Sequence, residues 1–172
     1  GGGGASAGAS AAANGPAHEL KPADLEEKVK LVFPPDGSSK TPPHPLGSSF
    51  KFKDYAPQVF HSIRRHFGID PADYMLSVCG DFNFIEFISN SKSGMFFFYS
   101  HDGKFMIKTM SKSERKFLSR ILPQYHAHVL AEPNTLLPRF LGMHRVKLKS
   151  AAAKGKQRWS CHFMIMTTVF DA

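Results

Sequence analysis

From Phe50 onward the hydrophobic positions switch between a helical and a strand-like period, and the switches mark out the elements. In DYAPQVFHSIRRHFGID, Tyr55, Val59, Ile63 and Phe67 recur every four residues with Phe60 beside them, which lines one face of an amphipathic helix over residues 54–67. Asp54 stands where an N-cap belongs, Pro57 falls in the first turn, where it costs little, and Gly68 stands where a left-handed residue stops a helix. Residues 82–88, FNFIEFI, alternate imperfectly and predict a strand. MFFFYS and FMIKTM, roughly residues 95–100 and 104–110, predict a hairpin turning at Asp102-Gly103. SKSERKFLSRILP then predicts a helix capped by Ser111 or Ser113. Phe117, Leu118, Ile121 and Leu122 form its stripe, Glu114 lies one turn earlier on the same side, and Pro123 closes it. FLGMHRVKL and RWSCHFMIMTTVF read as two more strands, with the Lys- and Ala-rich residues 150–157 as the loop between them. Strands outnumber helices from Phe82 on, so the expected class is α+β with an antiparallel layer.

The chain before Phe50 has no such pattern. Residues 1–17 are Gly/Ala/Ser low complexity and residues 34–49 are Pro/Gly/Ser-rich, with HELKPADLEEKVKLVF between them offering at most a short charged helix. The expected organisation is a disordered low-complexity arm over 1–48, followed by one domain over 49–172.

Composition narrows the partners rather than the fold. Lys and Arg outnumber Asp and Glu by 22 to 14, which gives a net charge of +8 and favours a polyanion such as anionic lipid, nucleotide or nucleic acid. Nucleic acid ranks last, because the aromatics sit in strand-like runs such as MFFFY and read as core. Cys79 and Cys161 have no metal or disulfide spacing, so a reducing compartment is the simpler expectation. The histidines are scattered, and His126 and His128 fall on different sides of a helix, so no metal site is expected. No run approaches the roughly 18 apolar residues of a membrane span, and the start lacks the basic and leucine-rich regions of a signal peptide, so secretion is not indicated.

The candidate chemistry begins with Lys108, an ammonium inside the otherwise apolar FMIKTM. An unpaired buried charge costs several kcal/mol, so Lys108 must either snorkel to water or meet an anion. A loop of small residues, Ser89-Asn-Ser-Lys-Ser-Gly94, precedes the hairpin, and a helix carrying Glu114 follows it. Small residues let backbone N–H groups approach phosphates, a lysine on the second following strand can reach them, and a glutamate on the next helix can hold that lysine. That order is the arrangement of a kinase small lobe. Taken singly, the parts read as an ordinary loop, an edge lysine and a first-turn acid.

The blocks FKFKDYAPQVFHSIRRHFGIDPADYMLSV, SNSKSGMFFFYSHDGKFMIKTM, LPQY, NTLLPRFLGMHRV and FMIMTTVF occur in this order, and over residues 49–172 they resemble the amino-terminal half of the phosphatidylinositol phosphate kinase catalytic domain. The likeness is to the phosphatidylinositol 4-phosphate 5-kinase branch more than to the 5-phosphate 4-kinase branch. It implies a kinase small-lobe-like antiparallel sheet with flanking helices, preceded by the arm. It also implies that Lys108 contacts ATP phosphates with Glu114 as its partner, that Ser91, Lys92, Ser93 and Gly94 cover the phosphates, and that Met166, Thr167, Thr168 and Val169 approach the adenine as a hinge. Lys116 crowds Glu114. The helix with Arg64 and Arg65 would lie on a flat membrane-facing side, joined by the loop around Lys154, Lys156 and Arg158.

The resemblance further implies ATP and Mg²⁺ as cofactors, with the metal's ligands in a large lobe that this chain lacks. It implies a phosphoinositide lipid as substrate and a cytoplasmic protein peripheral at the inner face of the plasma membrane; homodimerisation is left open. A chain ending just past the hinge is expected to be inactive alone. The alternative from a different class is a non-catalytic basic peripheral-membrane or scaffold module.

Overall fold

The computed structural model describes residues 20–79, 85–88, 95–149 and 158–168. In chain order these form α1 (Pro22–Glu26), β1 (Lys28–Phe33), β2 (Phe50–Tyr55), α2 (Pro57–His66), α3 (Pro71–Cys79), β3 (Ile85–Ile88), β4 (Phe96–Tyr99), β5 (Phe105–Met110), α4 (Lys112–Ala131), β6 (Phe140–Lys149) and β7 (Arg158–Thr167). The strands make one sheet in the order β1-β2-β6-β7-β5-β4-β3, and every neighbouring pair is antiparallel. The class is α+β, as the strand count predicts.

Three local expectations give way to packing. Residues 28–33 form the edge strand β1, so order begins well before residue 49 and the expected flexible arm does not extend over 20–48. The reason is pairing that composition does not show. β1 aligns Leu31 with Phe52 and Phe33 with Phe50, the rings of Phe33 and Phe50 stack 4.7 Å apart, and His44 Nε2 donates to the Phe33 carbonyl at 3.0 Å, which fastens the Pro-rich connection. Asp54 is not an N-cap. It belongs to β2, which runs on to Tyr55 because β1 and β6 flank it on both sides, and α2 starts abruptly after Ala56 in the left-handed region, φ 47°, with Pro57 as its first residue. Pro123 does not end α4, which continues to Ala131. Burial of Leu118 and Leu122 before it, and of Tyr125 and Val129 after it, offsets the roughly 3 kcal/mol that an interior proline costs. Gly68, at φ 65°, does stop α2.

The helices divide between the two faces of the sheet. Residues paired across antiparallel strands share a face, so Phe97, Lys108, Met164, Met143, Tyr55 and Lys28 form one continuous row from β4 to β1. α4 lies over one end of this face, against Met110, Met164, Met166 and Phe140, and Arg115 stacks 5.3 Å from the Tyr55 ring. α2 buries Val59, Phe60 and Ile63 and is tied to α4 by the hydrogen bond between Ser62 Oγ and His126 Nε2, 3.0 Å. On the opposite face, Tyr74 of α3 packs edge-on against Phe105 at 5.3 Å. A Cβ at Gly142 would sit 2.5 Å from His144 Nε2, so any side chain there would have to displace the His144 ring.

Candidate functional site

Lys108 sits mid-way along β5, and its side chain shares a cavity of about 440 Å³ with Met110, Met164, Met166 and Phe140 from the sheet and Ser113, Glu114, Phe117, Leu118 and Ile121 from α4. The strand period dictates this. Met106, Lys108 and Met110 alternate onto one face, and the register sets Met166, Met164 and His162 beside them. Three methionines are adaptable apolar walls, so the charge of Lys108 is the conspicuous exception. The ammonium lies 5.7 Å from the centroid of the Phe97 ring, a cation–π contact that accounts for only part of its needs.

Glu114 is in the same cavity but does not close an ion pair with Lys108 among the described residues. Its Oε2 accepts from the Ser111 backbone N–H at 2.7 Å, while its own N–H donates to Ser111 Oγ at 3.1 Å, a complete capping box. The bond from the Ser111 backbone is the main reason the Glu114 carboxyl stands below its ordinary range. Desolvation opposes it, and the Ser111 hydroxyl and the Lys108 charge add to the lowering. The helix cap therefore fixes an ionised carboxylate within electrostatic reach of the lysine without spending it on contact.

The remaining predicted residues part company. Met166 lines the cavity. Thr167 ends β7 opposite Phe105, and its N–H donates to the Arg139 carbonyl at 3.2 Å. Thr168 turns to the tip of the β4–β5 hairpin, where its hydroxyl donates to the Gly103 carbonyl at 2.6 Å. Ser91, Lys92, Ser93, Gly94, Val169, Lys154 and Lys156 lie outside the described residues. Arg64 is not a free surface charge. Its guanidinium stacks 5.0 Å from the Tyr74 ring and donates to the Leu141 carbonyl, while Arg65 is half-buried.

Charge gathers elsewhere, at a place the sequence reading missed. On the same face as Lys108, toward the β1 edge, the register aligns Lys30, Lys53 and Arg145 in one row and Lys51 with Lys147 in the next, with Lys28 beside them. Lys30, Lys51, Lys53, Arg145 and Lys147 line a second concavity of about 390 Å³ together with Leu31, Val32 and Phe52. Burial, then the charges of Arg145, Lys30, Lys28 and Lys147, lowers the Lys53 ammonium below the usual lysine range, the mark of cations held together without enough anions. The spacing was available in K-V-K, K-F-K and R-V-K, each placing two cations on one side of a strand. Assigning residues 1–48 to an arm hid the first of them. Between this plate and the cavity lies His162, pushed down by burial and then by Arg145, Arg115, Lys112 and Lys53.

A model of the phosphatidylinositol-4-phosphate 5-kinase family matches residues 78–172. Among curated relatives, phosphatidylinositol 4-phosphate 5-kinase 4 of Arabidopsis thaliana is 50% identical over 147 residues, covering 86% of this chain and 18% of the relative. Phosphatidylinositol 4-phosphate 5-kinase 6 of the same plant is 47% identical over 147 residues, 86% of this chain and 20% of the relative. Phosphatidylinositol 4-phosphate 5-kinase 9 is 52% identical over 134 residues, 77% of this chain and 16% of the relative. The chain thus spans about a fifth of the length of the curated relatives it matches. Since the family match extends over more than half of its residues, this chain belongs to the phosphatidylinositol-4-phosphate 5-kinase family.

Proposed function

We propose that this chain supplies the ATP-binding part of a lipid kinase that transfers the γ-phosphoryl group of ATP to phosphatidylinositol 4-phosphate, giving the 4,5-bisphosphate. The observation that carries the reading is the cavity under α4, apolar except for a lysine with a capped glutamate nearby. Methionine and phenylalanine walls suit a purine, and Lys108 suits the phosphates that follow it. In this reading Glu114 steadies Lys108, Met166, Thr167, Thr168 and Val169 border the adenine, and Ser91, Lys92, Ser93 and Gly94 cover the phosphates. One capped carboxylate does not amount to a magnesium site, which calls for several oxygen ligands, so no step is assigned here to the metal ion.

The basic plate supports a second part of the proposal, contact with an anionic leaflet such as the inner face of the plasma membrane. Six cations on one side of a sheet repel one another, and lipid phosphates relieve that repulsion at about 1 kcal/mol per charge near the surface. The plate shares its face with the cavity, so a docked sheet would keep the nucleotide close to the lipid layer. Arg65 remains a candidate for the same contact.

Titration of the purified chain with ATP by calorimetry tests the nucleotide site. Lys108→Ala is expected to weaken binding about thirtyfold, the loss of a charge-assisted contact to phosphate. Equal ATP affinity in the two proteins would falsify the assignment. Phosphorylation of phosphatidylinositol 4-phosphate by this chain alone, which spans about a fifth of the length of the relatives it matches, is expected to be undetectable by radiolabel transfer.

A further inference from the structure

The turn that joins β4 to β5 is exposed, yet its aspartate is turned inward. Asp102 Oδ1 accepts from Ser100 Oγ at 2.6 Å and from the Lys104 N–H at 3.2 Å, and Oδ2 accepts from Ser77 Oγ of α3 at 2.6 Å. Ser100, itself buried, also accepts from the Phe105 N–H at 3.0 Å. The first two of these bonds are local to the turn, whereas the third reaches a residue 25 positions away. The bond to Ser77 fastens the turn to a different element, where Tyr74, one helical turn earlier, packs on Phe105.

The other side of the same turn is fastened to the end of β7. The Gly103 carbonyl accepts from Thr168 Oγ1 at 2.6 Å and the Lys104 carbonyl from the Thr168 N–H at 3.0 Å. Ser77 and Thr168 are both buried. Burial alone would raise the Asp102 carboxyl, but the hydrogen bonds from Ser100, Ser77 and Lys104 and the charge of His101 outweigh it and hold it below the usual carboxylate range. The turn is therefore clamped between α3 and the residue that leaves β7. From it β5 runs directly to Lys108, and Met166 stands two residues before Thr168.

We propose that Asp102 is a positioning residue for the nucleotide site, fixing the lysine-bearing strand and the hinge segment in one register by pinning the turn between them to α3. The inference rests on the reading of the α4 cavity as an ATP site. Without the carboxylate the turn keeps its backbone bonds to Thr168 but loses its polar tie to α3, which leaves the Tyr74–Phe105 contact alone to hold Lys108 and Met166 in register with that helix. The bond network makes Asp102 and Thr168 parts of one device.

The test uses the whole chain and two readouts. Asp102→Asn is nearly isosteric but puts a donor in place of one acceptor and removes the charge, so one serine hydroxyl must reverse its bond and neither bond stays charge-assisted. Hydrogen exchange is expected to show the Thr168 amide opening about tenfold faster with the core amides of α4 unchanged, and ATP affinity measured by calorimetry is expected to fall about fivefold. Thr168→Val is expected to weaken ATP to a similar degree, and the double variant to be no worse than the poorer single, as members of one unit behave. If Asp102→Asn does not fold, Ser77→Ala removes only the limb to α3 and is read the same way. Unchanged exchange at Thr168, or single losses in ATP affinity that simply add, overturns the inference. The exchange measurement needs no nucleotide, so a wild-type chain that ignores ATP sinks the site reading, while a Thr168 amide indifferent to Asp102 sinks this inference alone.

Discussion

One face of one sheet treats lysine in two opposite ways. At the β5–β7 end, α4 roofs the face, methionines surround Lys108, and a single cation stands in an apolar cavity. At the β1–β2–β6 end no helix among the described residues covers it, and Lys28, Lys30, Lys51, Lys53, Arg145 and Lys147 crowd together, exposed or half-buried. The backbone geometry is the same at both ends; the roof makes the difference. Under a helix, desolvation makes each charge expensive, so only one is kept and it must find a specific partner. In the open, charges are cheap singly, and their number rather than their placement creates the potential.

The largest effect should come from damaging the roof. Leu122 is a fully buried side chain on the inner side of α4, and Leu122→Ala is expected to cost about 3 kcal/mol in urea denaturation, with ATP binding lost in proportion to unfolding. Retention of full stability would mean that α4 is not what distinguishes the two ends. Next, Lys30→Gln, Lys53→Gln and Arg145→Gln together should weaken binding to phosphatidylserine-containing vesicles roughly a hundredfold at low salt while leaving ATP affinity unchanged. A parallel loss of ATP affinity would merge the two ends into one site. Arg65→Gln is expected to reduce vesicle binding only about fivefold, whereas Arg64→Gln should lower the melting temperature and spare the vesicles, because its guanidinium is committed to Tyr74 and Leu141.

The smallest effect concerns acid. The folded Glu114 carboxyl lies below its unfolded value, so its contribution is complete above the unfolded value of 4.5 and is lost as pH falls through the lower folded value. Stability of the wild type should therefore drop more steeply below pH 4.5 than that of Glu114→Gln, a difference that acid denaturation followed by circular dichroism can register. Ser111→Ala, which removes the other half of the box, is expected to cost about 1 kcal/mol at neutral pH.

Local chemistry made one end of this face readable and left the other dark. The hairpin with its Asp-Gly turn, α4 with its capping box, and the strands that became β6 and β7 all carry their signals within a few residues, and Lys108 stood out because a charge among apolar neighbours is visible in the sequence. Residues 28–33 carry no such contrast, since three alternating apolar residues become a strand only once Phe50 and Phe52 lie alongside. The plate was invisible for the same reason: its six cations come from three segments far apart in the chain. Asp54 and Pro123 were misread in the other direction, because a cap residue and a helix breaker are weak forces beside two flanking strands or four buried side chains. Arg64 was expected on a membrane-facing side because nothing near it in sequence announces Tyr74.

Pro123 has a mechanical meaning as well. Lacking an N–H, it leaves the Ser119 carbonyl without its rung in the ladder, and a helix bends most cheaply where a rung is missing. Beyond that joint, Tyr125 bolts the rod to the start of β6, accepting from the Phe140 N–H at 2.8 Å and donating to the Pro138 carbonyl at 2.6 Å. The segment from Lys112 to Ser119, which carries Glu114 and borders the space over Lys108, thus meets the bolted half of α4 across a turn whose hydrogen-bond ladder is incomplete.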